Sequence, residues 1–339
     1  MCTIKIELTV GDVNRLNDEI VIRLNLDKQT ACVENGAAAE GQQLFPFIEE
    51  LVKKKRACGK LRTADTYLSA LRSFARFRGG CDMTMSELTS DVVMAYESSL
   101  LADGLSLNTV SFYLRKLRAV YNLAVDEGLV SDRQPFRKAH TAMCKTEKRA
   151  VDASTIVRIR DAEVADKCEA LGRDLFLFSF YTRGMSFVDM AYLKQGDITG
   201  GYLRYRRQKT GQLIVVKWEP AMEAIVERLR GQCYGQYLLP IISNGRSPER
   251  SQYRGCQWKV NRGLRSLGER LGLERRLTMY VARHSWASIA RSIGVSVGVI
   301  SLAMGHTSER TTQIYLKTLD EQAVDQANRS VLELIGGPS

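Results

Sequence analysis

Several side chains in the second half of the chain have the types needed to break a phosphodiester. They are Arg183, Lys209 in "QKTG", Arg283 in "YVARHSWA", His306 in "GHTSERTTQIYL", and Tyr315 nine residues beyond it. Guanidinium groups donate forked hydrogen bonds to phosphate oxygens, a lysine can give up a proton, and a phenol oxygen can attack phosphorus. Singly, each has a plainer reading: a tyrosine near a helix end is usually half-buried packing, and Gly-His is usually a turn.

The elements that must position these groups follow from periodicity. "DASTIVRIRDAEV" reads as a helix capped by Asp152 or Ser154, and the apolar run in "CEALGRDLFLFSFYTRGMSF" as a buried helix. In "YLRYRRQKTGQLIVVKW" two strand-like runs flank a turn at Lys209, Thr210 and Gly211, the pattern of a β-hairpin. "TMYVARHSWASIARSIG" and "SVGVISLAMG" return to a helical period. Upstream, "LFPFIEELVKKKRACGKL" and "TADTYLSALRSFARFRGG" are amphipathic. "SELTSDVVMAYESSLLADG" follows with Ser86 as its cap, then "SLNTVSFYLRKLRAVYNLAVDEGL" opening near Ser106 or Asn108. These four helices predict a compact bundle. Tyr67, Phe74 and Phe77 read as its core rather than as base-stacking platforms.

The 339 residues carry 49 Lys and Arg against 38 Asp and Glu, a formal charge of +11 spread along the chain, which favours a polyanionic partner. Lys53, Lys54, Lys55 and Arg56 before one bundle helix, and Arg115, Lys116 and Arg118 on another, are candidates to grip phosphates, though a charge run alone is usually a solvated face. The eight cysteines include no C-x-x-C pair and no histidine at zinc-ligand spacing, so they read as reduced thiols, with no metal site. There is no phosphate loop, secretory signal or apolar run of membrane-spanning length, so the expected setting is cytoplasmic and no membrane partner is expected.

The order Arg, hairpin Lys, Arg-His, Gly-His, Tyr resembles the tyrosine recombinase (phage integrase) family over residues 42 to 320. "RGMSFVDMAYL" and "TTQIYL" look like recombinases of mobile elements and invertible loci in Bacteroidetes-type bacteria. The resemblance implies a mainly α fold with a small β-hairpin or sheet in the catalytic domain, and two domains that clamp duplex DNA. It implies that Tyr315 forms a 3′-phosphotyrosyl link and that arginines neutralise the non-bridging oxygens. Lys209 would protonate the leaving 5′ oxygen, His306 would hydrogen-bond the phosphate, and His284 would buttress the site from behind. One phosphoester is exchanged for another, so no cofactor is expected.

Two positions depart from the family pattern. Its first arginine falls on Ser186. Arg183, three residues earlier and so on nearly the same face of a helix, is expected either to replace it or to pair with Asp189. Tyr280 stands where the family commonly has histidine; a phenol with a pKa near 10 is a poor base, and it reads either as a phosphate ligand or as a packed aromatic.

The expected organisation is a β-like appendage and linker at 1–41, a helical core-binding domain at 42–128, a basic linker at 129–150, a catalytic domain at 151–320 and a tail at 321–339. The apolar stripe of the tail (Val331, Leu332, Leu334) would contact a neighbouring subunit. The expected partners are double-stranded DNA with inverted-repeat core sites and three further copies in a homotetramer, with room for accessory proteins and a place at the bacterial nucleoid. The appendage looks short for an arm-site module, which tilts the outcome toward a simple recombinase such as an invertase over integration or excision. Alternatives are relaxation by a type IB topoisomerase, or a DNA-binding regulator that does not cleave.

Overall fold

In the computed structural model, residues 41–144, 150–306 and 312 are described, and the chain divides into two units, Met1–Thr146 and Glu147–Ser339. The readings for residues 1–40, for Tyr315 and for the 321–339 tail therefore lie outside the described residues.

The first unit is built from α1 (Leu44–Ala57), α2 (Leu61–Phe77), α3 (Ser90–Ala102) and α4 (Leu107–Asp126). Their apolar stripes meet in one core around Leu44, Ile48, Phe74, Tyr96, Leu114 and Leu117. Phe74 lies edge-on to Tyr96 at 5.0 Å, and the Tyr96 hydroxyl donates to Ser73 at 2.7 Å. Phe74 is fully buried and Tyr67 and Phe77 pack against the core, as their spacing predicts.

Local details differ from expectation in three places. Ser86 does not cap α3. Glu87 accepts the Thr84 amide at 2.7 Å and closes a short 3₁₀ turn over Met85–Glu87, and Thr89 caps the helix that follows. Lys53 to Arg56 precede α2 but are themselves helical; Lys54, Lys55 and Arg56 are in the last turn of α1, where cations oppose the negative end of the helix dipole. Residues 129–144 are not a free linker. Phe136 is buried in the core, the Tyr121 hydroxyl donates to Ser131 O and accepts from the Arg133 amide, and Asn108 exchanges two hydrogen bonds with the Cys144 backbone. His140 is half-buried, its amide donating to the Glu97 carboxylate at 3.1 Å. These contacts satisfy backbone groups that polar composition alone suggests are left to water.

The second unit holds α5 (Ala153–Asp161), α6 (Lys167–Tyr181), α7 (Phe187–Ala191), α8 (Pro220–Leu229), α9 (Glu249–Arg270), α10 (Met279–Ser292) and α11 (Val297–Ala303). Asp152 caps α5 by accepting the Thr155 amide at 2.8 Å. An antiparallel sheet, ordered β1 (Ile198–Thr199), β2 (Tyr202–Arg206), β3 (Leu213–Lys217), lies between α7 and α8 in sequence. Leu203 pairs with Val216 and Tyr205 with Ile214, so the inward side chains line up on one face, while Arg204 and Arg206 point outward. That register holds the turn after β2 in place. Fully buried Leu175, Phe176 and Phe178 of α6 share a core with Leu264 and Leu267 of α9 and with Ala282 of α10.

Cys58, Cys144, Cys168, Cys233 and Cys256 are free. Cys81 is disulfide-bonded, contrary to the expectation of reduced thiols throughout. No described helix is long and apolar enough to cross a membrane.

Candidate active site

The centre of the site is Arg283. It lies on α10 among Val281, Ala282, Ser285 and Ala287, all buried, and its own side chain is buried with them. An isolated guanidinium there would be costly, and acceptors from two other segments meet it. Nη1 donates to Gly184 O at 2.6 Å, and Nη2 donates to Met304 O at 2.8 Å and to His306 Nε2 at 2.9 Å.

The approach to Gly184 leaves no room for a side chain. Its φ is +74°, and an added Cβ would lie 2.7 Å from Arg283 Cα and 2.8 Å from Cγ. Gly184→Ala therefore combines a left-handed backbone with a steric clash. It is expected to destabilise the second unit by more than the about 1 kcal/mol of an unfavourable Gly→Ala change alone, and to lower DNA cleavage by displacing Arg283. Thermal melting and a cleavage assay on the same sample check this.

His306 is fixed at both nitrogens. A guanidinium can only donate, so Nε2 accepts, the proton sits on Nδ1, and Nδ1–H donates to Thr312 Oγ1 at 2.6 Å. Burial, then the charges of Arg283, Arg207 and Lys209, push its pKa down from 6.5 to about 4. The unfolded chain takes up the proton first as pH falls. The stability contributed by the neutral ring is thus complete above about pH 6.5 and is lost progressively toward pH 4. An imidazole NMR titration is expected to find the His306 ring still neutral at pH 5 and protonated on Nδ1. A His306 midpoint near 6.5 would contradict this geometry.

Lys209 stands exposed in the turn after β2, close enough for its charge to act on His306. The turn is tied down by Asp189, buried on α7, whose Oδ1 accepts the Gln208 amide at 2.8 Å. Asp189 Oδ2 accepts from the Ser186 hydroxyl at 2.6 Å, and Ser186 caps α7.

Arg183 is not where its sequence spacing suggests. It is past the end of α6 with φ of +63°, so Arg183 and Ser186 do not share a helix face. Its Nη1 donates to Val215 O on β3 at 3.3 Å, and the arginine facing Asp189 is Arg207.

Arg207 follows β2, its side chain mostly buried. Nε lies 3.7 Å from Asp189 Oδ2, and Nη1 donates to Gly305 O at 2.5 Å. Gly305 has φ +64°, and a Cβ there would come within 2.8 Å of Arg207 Cδ. Sequence reasoning missed Arg207 and Thr312. The available signal was that Arg207 breaks the strand alternation immediately before "QKTG".

Tyr280 is 48% exposed, and its ring meets His284 edge-on at 4.3 Å. It is therefore not a core aromatic, and His284 stands behind it one turn along α10.

The basic residues of the first unit fall into two groups. Lys53, Lys54 and Arg56 are exposed and Lys55 half-exposed on α1, with Lys54 paired to Glu50 at 3.0 Å. On α4, Arg115 is half-buried, Lys116 sits 5.3 Å above the Tyr67 ring, and Arg118 donates to Thr141 Oγ1 at 3.0 Å.

Residues 43–141 match the phage integrase SAM-like domain and residues 151–322 match the phage integrase family. The chain belongs to the phage integrase family. Tyrosine recombinase XerA of Pyrococcus furiosus is 25% identical over 257 residues, covering 74% of this chain and 84% of XerA. Tyrosine recombinase XerD of Rhizobium meliloti is 24% identical over 300 residues, covering 82% and 91%. The fold is shared with a lambda integrase solved as a tetramer on a Holliday junction, with a TM-score of 0.63 at 17% identity over 82% of this chain and 78% of that one. This integrase-family chain is thus mainly α with a small sheet, as its motifs imply. It is a tyrosine recombinase, an enzyme of site-specific DNA strand cleavage and rejoining.

Proposed function

We propose that this recombinase exchanges strands between two duplex sites with inverted-repeat arms, as a homotetramer, through a 3′-phosphotyrosyl intermediate on Tyr315. The observation that carries the reading is the buried Arg283, which holds His306 in one tautomer and brings α10, the Gly184 turn and the 304–306 segment to one point. A preorganised donor of this kind is suited to the charge that develops on a phosphate's non-bridging oxygens.

In the proposed reaction the Tyr315 hydroxyl gives up its proton to solvent as its oxygen forms a bond to phosphorus, the P–O5′ bond breaks, and Lys209 delivers a proton to the departing O5′. His306, whose two nitrogens are engaged by Arg283 and Thr312, orients Arg283 rather than hydrogen-bonding the phosphate as the family resemblance implies. Attack of a 5′ hydroxyl on the phosphotyrosyl bond reverses the step and rejoins a strand. The exposed cations of α1 supply phosphate contacts that set affinity and register. Four copies on two sites are supported by the tetramer in which the lambda integrase was solved. Inversion of a DNA segment is the simplest outcome of such an exchange between sites in opposite orientation.

The test is a covalent trap. The full chain is incubated with DNA fragments that carry inverted repeats from around its gene, nicked so that the cleaved end escapes. A protease-sensitive shifted band on a denaturing gel is expected. Specific binding without that band would favour the non-cleaving regulator.

A further inference from the structure

The family pattern calls for a second guanidinium at residue 186, and serine cannot supply it. We propose that Arg207 does so, entering the phosphate site from the end of β2 with Asp189 as its positioning residue. The assignment rests on the phosphotyrosyl chemistry proposed for Tyr315 and Arg283.

Three observations converge on Arg207. First, it and Arg283 hold neighbouring carbonyls of the same segment: Arg283 bonds Met304 O and Arg207 bonds Gly305 O, directly before His306. Two guanidiniums thus flank the residue that the site is built around. The charges of both, with that of Lys209, act on His306, as expected of cations facing one small space.

Second, Asp189 links the two ends of the substitution. Its Oδ2 takes the Ser186 hydroxyl at 2.6 Å and lies 3.7 Å from Arg207 Nε. An arginine rooted at position 186 would project toward this carboxylate. Here the short serine leaves that space, and a guanidinium rooted on another element reaches the same carboxylate. Arg183, held at Val215 O, does not make this contact.

Third, the guanidinium is placed rather than adrift. Its side chain is 10% exposed, its stem crosses Gly305 where no Cβ fits, and the Gln208 amide that follows is anchored to Asp189 Oδ1. Among the described residues Nε faces Asp189 and Nη1 bonds Gly305 O, which leaves the two N–H donors of Nη2 for a phosphate oxygen. In the reaction Arg207 forms and breaks no covalent bond; it opposes charge on a non-bridging oxygen as Tyr315 adds to phosphorus.

The experiment compares cleavage by the full chain on nicked site DNA with a normal scissile phosphate and with an uncharged methylphosphonate there. Each variant is scored against wild type on the same substrate. Arg207→Ala is expected to slow adduct formation about 10²–10³-fold on phosphate, and by less than about tenfold on methylphosphonate, where the charge to be opposed is absent. Ser186→Arg added to Arg207→Ala is expected to recover at least about tenfold of the loss on phosphate, because it returns a guanidinium to the same carboxylate. Arg183→Ala is expected to lose less than Arg207→Ala.

Removing Arg207 leaves Asp189 buried without its cation, so Arg207→Lys, which keeps a charge, is measured beside it with a thermal melt. It is expected to fold and to show the same substrate dependence in weaker form. Wild-type rates from Arg207→Ala, or equal losses on the two substrates for both variants, overturn the assignment while leaving the recombinase mechanism standing. Absence of an adduct from wild type on confirmed site DNA overturns that mechanism and the assignment with it.

Discussion

Tyr315→Phe is expected to abolish the covalent protein–DNA adduct while leaving DNA binding unchanged. The substitution deletes one oxygen, the atom proposed to bond phosphorus, and no other described group inherits its role. Tyr280 is the alternative phenol, half-exposed on α10, but its ring is engaged edge-on with His284. A denaturing gel reads the adduct and a native mobility shift reads binding on the same samples. An adduct that persists in Tyr315→Phe and disappears in Tyr280→Phe would move the nucleophile to α10. Loss of binding together with the adduct would show that residue 315 has a structural part as well.

Arg283→Lys is expected to slow adduct formation about 10²–10³-fold, the usual cost of losing a preorganised donor to a developing oxyanion. The charge survives, but the geometry does not. The native guanidinium spans Gly184 O, Met304 O and His306 Nε2 from one planar group, and an ammonium, which has no such fork, cannot reach all three. A second consequence follows at His306. Without the Arg283 donor, Nε2 can take a proton, and one of the charges that lowers the pKa of the ring has moved. The cleavage rate of Arg283→Lys should therefore acquire a pH dependence between about 4 and 6.5 that wild type lacks. A buried acceptor left without its donor costs about 1–3 kcal/mol, so the melting temperature is measured in parallel to separate a damaged site from a damaged fold. A wild-type rate in a folded Arg283→Lys protein would remove Arg283 from the chemistry.

Both residues are legible in the amino-acid sequence itself, as are Lys209 and His306, and the reason is local. Arg283 and His284 are adjacent on a helix whose period is plain, and Gly305-His306 ends another. Lys209 sits in a turn that "KTG" between two alternating runs specifies. Motif spacing carried the family, the mainly α fold and the class of reaction, because each motif lies within one element or at its edge. Charge composition pointed to a polyanion for the same reason: it needs no geometry.

What the tertiary structure alone decided are the pairings across long separations. Arg207 and Gly305 are 98 positions apart; the two-residue period places Arg207 on the inward face with Leu203 and Tyr205, but nothing in "RYRRQKTG" reveals which distant carbonyl it reaches. Arg183 was misplaced because three residues of separation mean a shared face only while the helix continues. A left-handed residue at 183 and a new cap at Ser186 end that relation. Residues 129–144 read as a linker because they are polar and contain a proline, yet Tyr121, Asn108 and Glu97 hold their backbone to the bundle. Sequence pattern records which side chains prefer water. Which distant backbone carbonyl a buried guanidinium will reach is settled only when the core closes and the acceptors arrive within 3 Å of their donors.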